Sequence, residues 1–180
     1  MRKRDTSAGT QYVFDALTVV TLPLGFNFNF YNEDRASLTI SLNGYVTFDP
    51  QPIYAIFWPE KPLPDSFPPN DLISVYGDMM EPGLNTRIQT LFEGAAPERR
   101  LTITWDKVLL WTSSTEGTFQ MTLYEGSNDI VFRYKDTTFG GQSVDAGATA
   151  AVGTEDKDAF EATNWLGTVP DGSALRLFQT

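Results

Sequence analysis

The run Leu24-Gly25-Phe26-Asn27-Phe28-Asn29-Phe30 constrains the fold more than any other stretch of the chain. Leu24, Phe26, Phe28 and Phe30 alternate with Gly25, Asn27 and Asn29, the period of a strand with one buried face. Soon after, Leu38-Ile40-Leu42 and Tyr45-Val46-Phe48 flank Asn43-Gly44. That dipeptide can hold both central residues at positive φ, so the segment predicts a tight β-hairpin.

The rest of the chain repeats this grammar. Leu101-Ile103-Trp105 alternate with Thr102 and Thr104, and Phe119-Met121-Leu123 alternate with Gln120 and Thr122. Glu125-Gly126-Ser127-Asn128 predicts a four-residue hairpin loop into Ile130 to Tyr134. Further strands are expected at 12–14, 18–22, 72–77, 86–93, 108–111, 149–153 and 174–178, with Glu81 to Asn85 read as a turn. No window of a dozen residues keeps a helical apolar period unbroken by Gly or Pro. Between Asp49 and Asn70, seven prolines occur in 22 residues, which rules out an interior strand because proline donates nothing to a ladder. The segment reads as a long ordered loop crossing the sandwich edge and lying over one end.

These patterns predict an all-β chain: a single antiparallel β-sandwich, jelly-roll-like, of about eleven strands with a long Pro-rich loop. Its 180 residues suit one well-buried domain, and 13% aromatic content suits the roughly 10 Å gap between packed sheets. Residues 1–11 are polar and basic and are expected to be a flexible arm, with the domain running from 12 to 180. Met1-Arg2-Lys3-Arg4 has the basic character of a signal-peptide start, but Asp5 to Gln11 places no apolar segment behind it.

Composition removes several function classes. The formal charge of -10 repels phosphate backbones and anionic membranes, and no run approaches the roughly 18 apolar residues of a membrane span. With no His and no Cys, the chain lacks His- or Cys-based nucleophiles, the usual zinc ligands and disulfides. Carboxylate, Lys or Tyr chemistry remains, or no catalysis.

The order of motifs resembles the nidogen-type extracellular domain, NIDO, and its bacterial secreted and cell-surface relatives. The matching residues are Phe26 to Tyr31, Ser41 to Phe48, Tyr76-Gly77-Asp78, Thr104 to Val108, Thr118 to Gly126 and Ile130 to Tyr134, spanning about 22–153. The chain departs from that pattern between Trp58 and Asp78, where the Pro-rich segment splits a compact Ala-Pro-Phe-Trp-x-Asp run. The resemblance implies an extracellular, non-catalytic module.

Three functions follow as expectations. The first is a structural or adhesion module at the cell surface, self-associating or binding protein partners as a subunit of a filament or coat. Tyr54, Phe57, Trp58 and Phe67 on the stiff Pro-rich segment, together with Trp165, are its candidate contact residues; their alternative role is to cover the core. The second is a carbohydrate-binding domain. No cofactor is required, and calcium is the one metal that the loop acids Glu33, Asp34, Glu155, Asp156 and Asp158 suit, although they lack the spacing of a defined calcium loop. The third is a glycosidase using two of Asp78, Glu81, Asp106 and Glu125, which would need two carboxylates about 5 to 9.5 Å apart.

Overall fold

In chain order the strands are β1 (Thr10–Tyr12), β2 (Val19–Phe30), β3 (Glu33–Ser41), β4 (Tyr45–Thr47), β5 (Leu72–Gly77), β6 (Met80–Glu93), β7 (Arg100–Leu110), β8 (Glu116–Tyr124), β9 (Ile130–Asp136), β10 (Ala151–Glu155), β11 (Ala162–Asn164) and β12 (Ala174–Leu177). They come from a computed structural model that describes residues 4–15, 19–49, 59, 62–111, 113–141 and 143–178. A first sheet runs β1-β6-β7-β8-β9-β12 and a second runs β11-β10-β5-β4-β3-β2, all antiparallel. The expected sandwich is present, with connections simpler than a jelly roll: β2 to β5 and β6 to β9 are two meanders, one in each sheet.

Alternation places the core between the sheets. Leu24, Phe28 and Phe30 on β2 are fully buried, as are Ile103 and Trp105 on β7 and Phe119 and Met121 on β8. Burying each such side chain contributes about 1.5–3 kcal/mol. Two polar tips cross the gap and fix the relative placement of the sheets. The Trp105 indole Nε1 donates to Ser41 O at 2.8 Å, and the Tyr134 hydroxyl donates to Val75 O at 2.8 Å. Both side chains are thus paired despite full burial, as large amphipathic groups require.

The Asn43-Gly44 hairpin forms, with a three-residue loop. Thr39 pairs with Thr47 and Ile40 with Val46, and within the loop Gly44 alone has positive φ, 81°. This is the turn that ends in a left-handed residue rather than one with two. The loop also clasps the crossover between sheets: Gly44 O accepts from the Val75 and Tyr76 amides at 3.0 Å, and Asn43 Oδ1 accepts from the Met80 amide at 3.0 Å.

Other expectations change in detail. Residues 81–85 are part of β6: Met80, Glu81 and Pro82 pair with β7, and a register break separates Pro82 from Arg87. Proline is tolerated there because β1 pairs only with Ile88 to Thr90, leaving that half of β6 as an edge. β11 was absent from the strand expectation. The N-terminal segment, expected as a free arm, is docked from Arg4 onward. Thr6 is buried and bonds to Gln89 Oε1 (2.6 Å) and Thr104 Oγ1 (2.8 Å), the Arg4 backbone exchanges two hydrogen bonds with the Gln120 side chain, and Thr10–Tyr12 pairs with β6. It roofs the outer face of the first sheet, where Thr102, Thr104, Gln120 and Thr122 would otherwise face water.

The described part of the Pro-rich segment, 62–70, lies over the outer face of the second sheet rather than over the end of the core. Leu63 packs with Tyr45, Leu72 and Ala151 in a small cluster separate from the main one. Two polar links hold it down. The Leu63 amide donates to Asn164 Oδ1 at 2.8 Å while the Asn164 amide donates back to Leu63 O, and the Asp65 amide donates to Glu155 Oε2 at 2.6 Å.

Candidate functional site

The two sheets end side by side at β11 and β12, and the seam between these edges is a groove of about 650 Å³. Its walls are Ala162 and Thr163 of β11, Arg176 to Phe178 at the end of β12, and the β2–β3 hairpin tip with Tyr31 and Asn32. Phe160 stands on its rim 86% exposed and Phe178 67% exposed, a strong contrast with the buried phenylalanines of β2.

Each element of the groove is fixed by local chemistry. Asp156 Oδ1 accepts from the amides of Phe160 (2.8 Å) and Glu161 (3.0 Å), which shapes the tight turn that presents Phe160. The Tyr31 hydroxyl is bonded to Thr154 Oγ1 at 3.0 Å, tying the hairpin tip to β10, and burial raises its pKa. β12 begins at a turn in which Gly172 has φ 77° and the Ser173 amide donates to Pro170 O. Arg176 is ion-paired with Asp129 and lies 4.8 Å from the Phe178 ring centroid, a cation–π contact at the groove wall.

Of the candidate contact residues, Tyr54, Phe57 and Trp58 lie outside the described residues. Phe67 is 58% exposed on the Pro-rich segment, and Trp165 is 43% exposed with its Nε1 donating to Thr168 O at 3.1 Å. Neither lines the seam. The groove residues Tyr31, Phe160, Arg176 and Phe178 were missed by sequence reasoning. The available signal was Phe160 standing outside any expected strand, in Asp158-Ala159-Phe160-Glu161; Phe178 fell inside the strand expected at 174–178.

The candidate metal-binding acids are engaged within the protein. Glu33 pairs with Arg35 (2.7 Å) and Lys157 (3.8 Å), Asp34 accepts from Asn29, Asp158 pairs with Lys157, and Asp156 and Glu155 hold the segments described above. Among the described residues no group of three His, Cys, Asp or Glu is placed to hold a metal ion. Glu155 is fully buried, and desolvation pushes its pKa from an ordinary 4.5 to about 7 against the lowering effect of the Asp65 amide. Of the candidate glycosidase acids, Glu125 is engaged by Arg99, whose hydrogen bonds hold its carboxyl below the usual range, the reverse of a general acid.

A smaller polar pocket of about 410 Å³ lies near the β2–β3 tip, lined by Glu33, Arg35, Phe48, Asp49, Asn70, Asp71 and Lys157. Arg35 bridges Glu33 and Asp71, at 2.7 and 2.8 Å. Asp71 has φ 54°, its pKa is raised by burial despite Arg35, and among the described residues its Oδ1 and the Arg35 Nε have no hydrogen-bond partner.

Neither a curated protein nor a solved structure matches the chain. Residues 3–176, nearly its whole length and more than the 22–153 on which the resemblance was drawn, match the family described as NIDO related, whose character suggests an extracellular module, and the chain belongs to that family.

Proposed function

We propose that this chain is a non-catalytic structural or adhesion module of the extracellular surface, acting through protein contacts made at the seam between β11 and β12. The observation that carries the reading is the seam itself: two strand edges open onto one groove with Phe160 and Phe178 largely exposed beside Arg176. Exposed aromatic side chains and arginine are the residue types that anchor protein interfaces, and open strand edges pair readily with other chains. The outer sheet faces are less suited to contact, because the N-terminal segment roofs one and the Pro-rich segment covers part of the other.

The test is the assembly state of the chain by light scattering and sedimentation from micromolar to millimolar concentration, for the wild type and for Phe160→Ser/Phe178→Ser. Concentration-dependent association lost in the double variant supports the reading. A chain that is monomeric throughout refutes self-association and directs attention to a second reading as a glycan-binding domain. That alternative is favoured by the Arg35–Asp71 pocket, whose mixture of carboxylates, cations and an aromatic wall suits hydroxyl groups. A glycan array with Arg35→Ala as control tests it.

A further inference from the structure

The four sheet edges are not equally protected. β2 carries Pro23 and Gly25 and breaks register between Pro23 and Phe28. β1 and β11 are three residues each, and Asn164 of β11 is engaged by Leu63 of the Pro-rich segment. β12 has no proline and keeps unbroken register with β9 over its four residues, Ala174 to Leu177. Among the described residues, proline, register breaks, three-residue length or a covering segment blunt three edges, whereas β12 keeps only its short length and Arg176.

The hydrogen-bond phase of β12 follows from its flanks. The Tyr134 amide donates to Ser173 O, so Ser173 faces β9. Alternation along an antiparallel ladder then turns Leu175 and Leu177 toward β9 and leaves the N–H and C=O of Ala174 and Arg176 directed at the open edge. The other side of β9 agrees: the Tyr124 amide donates to Asp129 O, which assigns the odd-numbered residues of β9 to β8 and the even-numbered ones to β12.

This phase leaves few symmetric pairings with a second copy. A two-fold axis at Arg176 sets two guanidinium groups directly opposite one another, which like-charge repulsion disfavours. An axis at Leu175 instead sets Arg176 beside the small Ala174 of the second copy, twice, and brings Leu175 against its own equivalent. It also brings Phe178 level with Gly172 of the second copy, where a Cβ would have no atom within 4 Å. Bare edge glycines are sites that an aromatic neighbour covers well. We propose that β12 pairs antiparallel with β12 of a second copy of this chain about a two-fold axis at Leu175, joining the two first sheets into one continuous sheet. The proposal rests on the reading of the seam as a protein contact and specifies its partner and register. The contact is short and each chain carries a formal charge of -10, so it is weak and strengthens with salt.

The chain has no cysteine, so one introduced thiol reports the register without interference. At the axis, Leu175 faces its equivalent as a non-hydrogen-bonded pair with Cα atoms about 4.5 Å apart, within disulfide range. Under mild oxidation Leu175→Cys should form a disulfide dimer, whereas Leu84→Cys, at a fully exposed position on β6, should not. Independently, Ala174→Glu places a carboxylate opposite Arg176 of the second copy and should tighten the dimer by about 2- to 30-fold, while Ala174→Arg should weaken it by a similar factor. Cross-linking at 175 with the order Glu, Ala, Arg in affinity supports the pairing. A dimer in which both Ala174 variants leave affinity unchanged overturns this register and leaves the seam reading standing; a monomer in every variant overturns both. If Leu175→Cys fails to fold, the Ala174 series alone decides.

Discussion

Glu155 beneath the Pro-rich segment couples stability to pH in a direction opposite to that of most paired carboxylates. Its side chain is fully buried, Oε2 accepts from the Asp65 amide at 2.6 Å, and with the Asn70 amide nitrogen turned inward that group donates to Oε1 at 3.2 Å. Two donors do not replace the hydration lost, so the folded pKa rises from 4.5 to about 7. A raised folded pKa means that the contribution to stability is complete below about pH 4.5 and is lost as pH rises through about 7. The difference is about 3 kcal/mol between the two limits, or about 10 °C in Tm for a domain of this size. Glu155→Gln keeps the shape and an acceptor for the Asp65 amide but has no charge to bury. Urea unfolding of both proteins at about pH 5 and about pH 8.5 isolates the effect as a double difference, in which titrations elsewhere cancel. The variant should be slightly less stable than or equal to the wild type at the lower pH and more stable by about 2–3 kcal/mol at the higher. Parallel pH dependences for the two proteins would refute the reasoning.

Other substitutions test separate links. Gly44→Ala should cost at least about 2 kcal/mol by denaturant unfolding, because φ is 81° and a Cβ there would sit 2.0 Å from Tyr76 O. Thr6→Val removes the donor to Gln89 Oε1 and leaves Thr104 with Gln120 alone under the N-terminal roof, and should cost about 1–3 kcal/mol, read in the same assay. Asn164→Ala should release the Pro-rich segment locally, seen as faster hydrogen exchange at the Leu63 amide with the exchange of β7 unchanged. Trp105→Phe should cost about 1–3 kcal/mol because the indole hydrogen bond to Ser41 O, which ties the two sheets together in the closed core, is lost.

What the sequence reveals depends on how local the cause is. The alternation of Leu24 to Phe30 and of Phe119 to Leu123 is legible because burial of one face leaves a period of two in the chain itself. The loop 125–128 is equally legible: Leu123 pairs with Ile130, and the Tyr124 amide reaches Asp129 O. β11 is not, since Ala-Thr-Asn has little strand character and forms because β10 offers it an edge. The roof over the first sheet is hidden for a different reason. Thr102, Thr104, Gln120 and Thr122 read as a solvated face, yet all are buried: Thr102 and Thr122 bond to each other, while Thr104 and Gln120 find partners more than ninety positions away in Thr6 and Arg4. Periodicity reports which face is polar, and only long-range pairing decides whether that face is wet.

The same distinction explains why the seam escaped sequence reading while aromatic residues near prolines drew attention. A stiff segment can serve as a contact surface or as a cover, and Leu63, Glu155 and Asn164 show the described part of this one acting as a cover. A cover consumes its own binding capacity: the amides of Leu63 and Asp65 are already paired, and the face beneath them is closed. With one outer sheet face roofed and part of the other covered, the end of the sandwich at β11 and β12 brings two strand edges together with the exposed rings of Phe160 and Phe178. Phe160 adds almost nothing to the core at 86% exposure, and it is displayed by a turn that Asp156 holds with two hydrogen bonds. An ordered turn that exposes a large apolar side chain spends conformational entropy for little gain within the isolated fold, and under the proposed function a partner covering the ring would recover that cost.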